Sequence, residues 1–161
     1  MRLEDFLPYR LALLAEGVSQ CMAQVYRERF GLTRDEWRVL AHLAGSAGSA
    51  AAAGSPGAAA AGPVKTTEVI RRTTLDKMQV SRAVARLERD GLVQRHPDPD
   101  DGRSWRLELS AAGRALHAKV VPMVQAREAF LLEALSAAER RALDAALQKM
   151  QQRAEQMLRA G

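Results

Sequence analysis

The chain has a single cysteine, Cys21, among its 161 residues, so no disulfide can close within it. A reducing compartment is therefore the natural setting. Aromatic residues are scarce too, at 4% of the chain. Because Ala and Leu are abundant, that shortage favours helix packing over a sheet core. No uninterrupted apolar run approaches the roughly 20 residues of a membrane span. The first ten residues hold Glu4 and Asp5 where a signal peptide needs an apolar centre, so a cytoplasmic location is expected. The sequence has no phosphate-cradling glycine loop and no nucleophile elbow. His42, His96 and His117 lie far apart, without metal-ligand spacing. Asp98, Asp100 and Asp101 begin like a calcium loop, but an EF-hand starting at Asp98 needs glycine at 103 and glutamate at 109. Arg103 and Leu109 stand there instead. No catalytic residue, cofactor or metal is expected, and an enzyme has nothing to recommend it.

What is present is helical pattern and a mild basic surplus. Lys and Arg number 24 against 19 Asp and Glu, a net charge of +5, which permits a nucleic-acid partner without requiring one. Length and apolar content suit one domain with its own core. Leu7, Leu11, Leu14, Val18, Met22 and Val25 recur at steps of three and four, predicting an amphipathic helix that ends near Gly31. Cys21 is read into the buried side of that stripe. Thr33 and Glu36 form a capping-box pattern that starts a second helix through Trp37, Leu40 and Leu43. Residues 44–63 then contain only Ala, Gly, Ser and Pro, and are expected to be a flexible surface insert.

A short helix over 66–72 follows, then one capped by Asp76, with Gln79 at the reciprocal position and Gly91 as its stop. Residues 92–96 and 104–109 read as two strands of a hairpin, the second with Trp105, Leu107 and Leu109 alternating with Arg106 and Glu108. The turn formers Pro97, Asp98, Pro99, Asp100, Asp101 and Gly102 lie between them. Ser110 caps a helix to about Ala134 that contains Pro122, and Ser136 with Glu139 opens a last helix through Leu143, Leu147, Met150, Ala154 and Leu158.

Advancing residues 77–90 by about 100° per residue separates two faces. Val80, Ala83, Val84 and Leu87 fall together and must face the core. Met78, Arg82, Ala85, Arg86 and Arg89 fall opposite, with Gln79 and Ser81 at the margins. Arginine's planar fork suits guanine edges and phosphates, and small neighbours let a helix sink into a major groove. A short helix before this one and a hairpin with Arg103 at its tip after it make the arrangement of a recognition helix and wing. The expected fold is mainly α with a small β-hairpin wing.

These residues resemble a known family. Leu75-Asp76-Lys77, Val80-Ser81-Arg82-Ala83-Val84, Leu87-Glu88, Gly91-Leu92-Val93 and Arg95, continued by Asp98 to Ser104, Leu107, Leu109-Ser110 and Gly113, are similar to the signature of the MarR family of bacterial regulators. Leu32-Thr33 with Glu36 to Leu40, and Leu135-Ser136 with Glu139-Arg140 and Leu143, resemble its flanking helices. The resemblance implies a winged helix-turn-helix lobe at 32–110 and dimerisation helices at 1–31 and 111–161, all within one domain of residues 1–161. The 44–63 insert departs from the family pattern.

The resemblance further implies a homodimer that reads a pseudo-palindromic operator in double-stranded DNA, as a repressor released by a small, often aromatic, acid. Ser81 and Arg82 resemble recognition-helix contacts. Asp101 and Arg103 resemble the wing motif, in which the arginine enters the minor groove. Lys77, Met78, Gln79, Arg86, Arg89 and Arg95 complete the candidate DNA surface, with Lys77 and Arg95 suited to phosphates. Ser81 is equally suited to bonding back to its own helix, and Asp101 to shaping the turn. Tyr9, Arg10 and Trp37 are candidates for an effector crevice, although Trp37 is more simply a core residue. Two other readings compete: a winged-helix interaction module without DNA binding, and a redox sensor using Cys21. The expected burial of Cys21 argues against the second.

Overall fold

Most of the helix boundaries written in the sequence are built as hydrogen bonds. The computed structural model describes residues 2–49 and 62–160. After a 3₁₀ turn at Leu3–Asp5, α1 runs Leu7–Phe30 and stops at Gly31, whose φ of 65° is the left-handed conformation that glycine adopts without strain. The Thr33 Oγ1 then accepts from Glu36 N–H at 3.2 Å, while Glu36 Oε2 accepts from Thr33 N–H at 3.0 Å. Both halves of the capping box are thus present at the start of α2, Arg34–Ser49.

The sequence places the end of that helix near Leu43, but α2 continues through residues 44–49. Of the expected 44–63 insert, residues 50–61 lie outside the described residues. The chain resumes in a strand that the sequence reading does not anticipate, β1 at Val64–Lys65, followed by α3 at Thr66–Arg72 and α4 at Lys77–Arg89.

Strand β2 spans Val93–Asp98 and β3 spans Asp101–Leu109, both longer than the alternating residues suggest. The sheet is antiparallel in the order β1-β3-β2. Because β2 is an edge strand, Pro97 is tolerated in it, beside an irregularity in the register between Pro97 and Asp98. Only Pro99 and Asp100 remain as the connection.

Two compact units are distinguished, residues 1–124 and 125–161. The first holds the core. Val39, Leu40, Val69, Val80, Val84, Leu87, Leu107 and Val120 are buried there, drawing on α2, α3, α4, β3 and the next helix, α5, Ala111–Leu132. Trp37 packs against this core in a ring stack, 5.5 Å from Tyr26 and 5.6 Å from His117 between centroids. In the second unit, Ser136 and Glu139 cap α6, Ala137–Ala160, through Glu139 Oε2 at 2.8 Å from Ser136 N–H. α6 buries none of its described residues. Among the described residues no helix is long and apolar enough to cross a membrane.

Two expectations about side chains do not hold. Cys21 is exposed. The arc of α1 that meets the core carries Met22, Ala23, Tyr26 and Phe30. Cys21, seven residues beyond Leu14, shares the arc of that exposed leucine, about 140° away from Tyr26 at 100° per residue. The burial argument against a sensing role for Cys21 therefore fails in the single chain. Trp105, read as the inward partner of Leu107 and Leu109, is 44% exposed, whereas both leucines are buried. It stands far enough along the hairpin to have left the core.

Candidate nucleic-acid interface

Helix α4 is anchored at its first turn and along one side. Asp76 Oδ1 accepts from Gln79 N–H at 2.7 Å, and Gln79 Oε1 accepts from Asp76 N–H at 2.9 Å. The Gln79 side chain is thereby engaged in the cap. Val80, Ala83, Val84 and Leu87 are buried, so Met78, Ser81, Arg82, Ala85, Arg86 and Arg89 form the outer face. Met78 is 64% exposed although apolar.

The arginines of that face differ in what they touch. Arg86 Nε lies 2.9 Å from Glu36 Oε1, and Arg89 Nε lies 3.4 Å from Asp90 Oδ1. Arg82 makes no ion pair among the described residues, and neither do Lys77 and Arg103. Arg95 is half engaged: its guanidinium is 3.3 Å from Glu88 Oε2 and lies over the Trp105 ring, 5.5 Å from the centroid.

The hairpin is braced beside its turn by one buried carboxylate. Asp98 pairs with Lys65 Nζ at 3.0 Å and with Arg106 Nη2 at 3.1 Å, and accepts from Asp100 N–H at 3.0 Å. Burial by itself would raise its carboxyl, but the hydrogen bonds from Asp100, Lys65 and Arg106 prevail and hold it at about 2. Lys65 comes from β1 and Arg106 from β3, so the outer end of β2 is tied to both other strands of the sheet. A carboxylate held below its ordinary value contributes stability that is present above about 4 and lost as pH falls toward 2. Thermal melts taken between pH 5 and pH 2 should show this loss in the wild type, and Asp98→Asn should remove that share of the pH dependence. An unchanged acid profile in the variant would mean that Asp98 does not carry it.

At the tip, Asp101 accepts from Arg103 N–H at 3.0 Å and from the Ser104 hydroxyl at 2.7 Å. Those bonds keep the carboxyl below its ordinary value. The aspartate thus shapes the turn through backbone and hydroxyl, and the Arg103 side chain projects from it exposed.

Between α4, the start of α3 and the hairpin lies a hollow of about 300 Å³. Lys77, Ser81, Arg95 and Arg103 line it, so four of the sequence-predicted site residues meet in one place, together with Thr67 and Trp105. Thr66, Thr67 and Trp105 were not singled out from the sequence. The alternation around Trp105 suggested burial, and nothing local marks a threonine at the start of α3 as facing a recognition helix. A second, larger cleft of about 670 Å³ lies between α1 and the start of α2 and includes Glu16, Arg27, Arg34 and Asp35. Glu16 and Arg34 pair across it at 3.0 Å. Neither hollow is lined by Tyr9, Arg10 or Trp37.

Comparison with known proteins agrees with this geometry. Residues 57–104, which contain α3, α4 and the outer part of the hairpin, match the model of the MarR family. The HTH-type transcriptional repressor NicR of Pseudomonas putida is 35% identical over 89 residues, 55% of this chain. The match spans only 56% of the length of that curated relative. Among solved structures, a MarR-family transcriptional regulator from Silicibacter pomeroyi is 26% identical, with a TM-score of 0.69 over 92% of this chain and 90% of that one. The Bordetella bronchiseptica BpsR structure, which concerns regulation of its DNA binding by 6-hydroxynicotinic acid, has a TM-score of 0.75 at 22% identity. It covers 94% of this chain and 96% of that one.

Proposed function

We propose that the chain is a winged helix-turn-helix transcriptional regulator of the MarR family, a sequence-specific repressor that binds double-stranded DNA and is relieved by a small acid. The observation that carries the DNA-binding reading is the convergence of Lys77, Ser81, Arg95 and Arg103 on the hollow between α4 and the wing. Arg82 on the outer face of α4 supplies a fork for base edges, and exposed Met78 an apolar surface for thymine methyl groups. Arg103 at the wing tip is placed for a minor groove, whose narrowness concentrates negative potential. Lys77 and Arg95 hold phosphates.

The dimer is part of the same reading. Leu7, Leu13 and Leu14 on α1, and Leu143, Leu147, Met150 and Leu158 on α6, are exposed large apolar side chains in the single chain. So many apolar groups on the terminal helices call for a partner surface, and a second copy related by a two-fold axis supplies it. Sedimentation at micromolar concentration should give about twice the 17.6 kDa of one chain. A monomer there would remove the dimer and the palindrome together.

For the effector, the naming of 6-hydroxynicotinic acid with BpsR supports an aromatic acid. Tyr9, Arg10 and Trp37 are the proposed contacts, Trp37 through whatever edge its stack with Tyr26 and His117 leaves free. The test is selection of bound fragments from genomic DNA, followed by footprinting with and without aromatic acids. Two protected half-sites about one helical turn apart are expected, with release by one class of acid. Failure to enrich any fragment would favour the protein-interaction module.

A further inference from the structure

We propose that Arg86 is a positioning residue and not a DNA contact: with Glu36 it forms a strut that holds the recognition helix in register with α2. The inference rests on the DNA-binding reading above and concerns how that site is held in place.

Glu36 is 2% exposed, in the first turn of α2. Its two oxygens have separate tasks. Oε2 accepts from Thr33 N–H at 3.0 Å and closes the capping box, while Oε1 meets Arg86 Nε at 2.9 Å. A carboxylate this deep needs a cation, and one that loses its partner becomes an uncompensated buried charge. Arg86 is thus tied through its Nε to a group fixed inside the fold, while half of its side chain stays exposed. Arg82, one turn earlier on the same face, makes no ion pair among the described residues. Asp90 engages Arg89, one turn later. The cationic side chains of α4 that make no ion pair among the described residues are therefore Lys77 and Arg82, in its N-terminal half. The C-terminal half is held by charge against α2, as the N-terminal end is held by Asp76.

The two roles leave different marks on binding. A lost phosphate contact flattens the dependence of affinity on salt by about 0.9 per contact. A displaced helix weakens binding without changing the number of ions released. Glu36→Gln is the discriminating variant, because glutamine still accepts from Thr33 N–H and keeps the helix start while removing only the charge.

The experiment titrates wild type, Glu36→Gln, Arg86→Gln and the double variant with a fluorescent duplex recovered by the wild type from genomic fragments. The titrations cover a series of salt concentrations, with thermal melts of each protein alongside. Each single variant should bind about tenfold more weakly with the wild-type slope, and the double variant no more weakly than the worse single. Wild-type affinity in Glu36→Gln, or a flattened slope in Arg86→Gln, would overturn the proposal. If the melts show Glu36→Gln unfolded, the slope of Arg86→Gln decides alone, since that side chain is half exposed. A wild type that binds no duplex at any salt would overturn the DNA-binding reading itself, and is seen before any variant is compared.

Discussion

Gly113→Ala should destabilise the protein by about 3 kcal/mol, the upper end of what overpacking ordinarily costs, and lower its melting temperature by roughly 6–12 °C. A Cβ on Gly113 would stand 2.0 Å from the Leu92 carbonyl oxygen and 3.0 Å from its carbon, with Leu109 Cδ2 at 3.4 Å. The obstacle is backbone, and that backbone is held in place. Leu92 O accepts from Ser110 N–H at 3.0 Å, and Leu92 N–H donates to Leu87 O at 2.8 Å. The Ser110 hydroxyl donates to Gly91 O at 2.6 Å and accepts from Gly113 N–H at 3.0 Å. No side chain can rotate to relieve the clash, so α5 or the end of α4 must shift. Gly91→Ala is the informative comparison, because Gly91 has open space around it and needs glycine only for its φ of 70°. It should cost less than Gly113→Ala. A Gly113→Ala melt within about 2 °C of wild type would mean that this approach of helix to strand is not tight.

Arg82→Ala and Arg103→Ala should both weaken operator binding, and in different ways. Removing the Arg82 fork takes away base-edge bonds worth about 1–3 kcal/mol per half-site, and should relax preference at the base pairs beneath it. Removing Arg103 takes away a charge from the wing tip, so the salt slope should flatten by about one per half-site while major-groove preference persists. Neither side chain makes an ion pair among the described residues, so neither substitution strands a partner within the chain. Salt titrations on the operator and on its single-base variants separate the two effects. Wild-type affinity, slope and preference in both variants would mean that the helix and wing do not meet DNA, leaving the interaction-module reading.

What was legible in the sequence was chemistry confined to one turn of chain. The Thr33–Glu36, Asp76–Gln79 and Ser136–Glu139 boxes, the stops at Gly31 and Gly91, and the buried side of α4 all follow from residues three or four apart. What was missed depends on partners distant in sequence. Lys65 looks like any surface lysine until β1 pairs with β3 and brings it to Asp98. Glu36 reads as a capping residue, and only the packing of α2 against α4 gives its second oxygen to Arg86. Asp101 was equally suited to steadying an arginine or shaping a turn, and its bonds to Arg103 N–H and Ser104 serve the turn. Cys21 and Trp105 failed for a simpler reason, because periodicity shows that a stripe exists without showing how far along it the core extends.

The central claim, that this surface reads DNA sequence, is tested most directly by comparing two affinities at physiological salt. One duplex carries the pseudo-palindromic site recovered from genomic fragments, and the other has the same composition in scrambled order. The scrambled duplex keeps the phosphates and therefore the whole sequence-independent attraction. The account predicts that the intact site binds at least about a thousandfold more tightly, the lower bound for specific recognition. Equal affinity for both duplexes would contradict it.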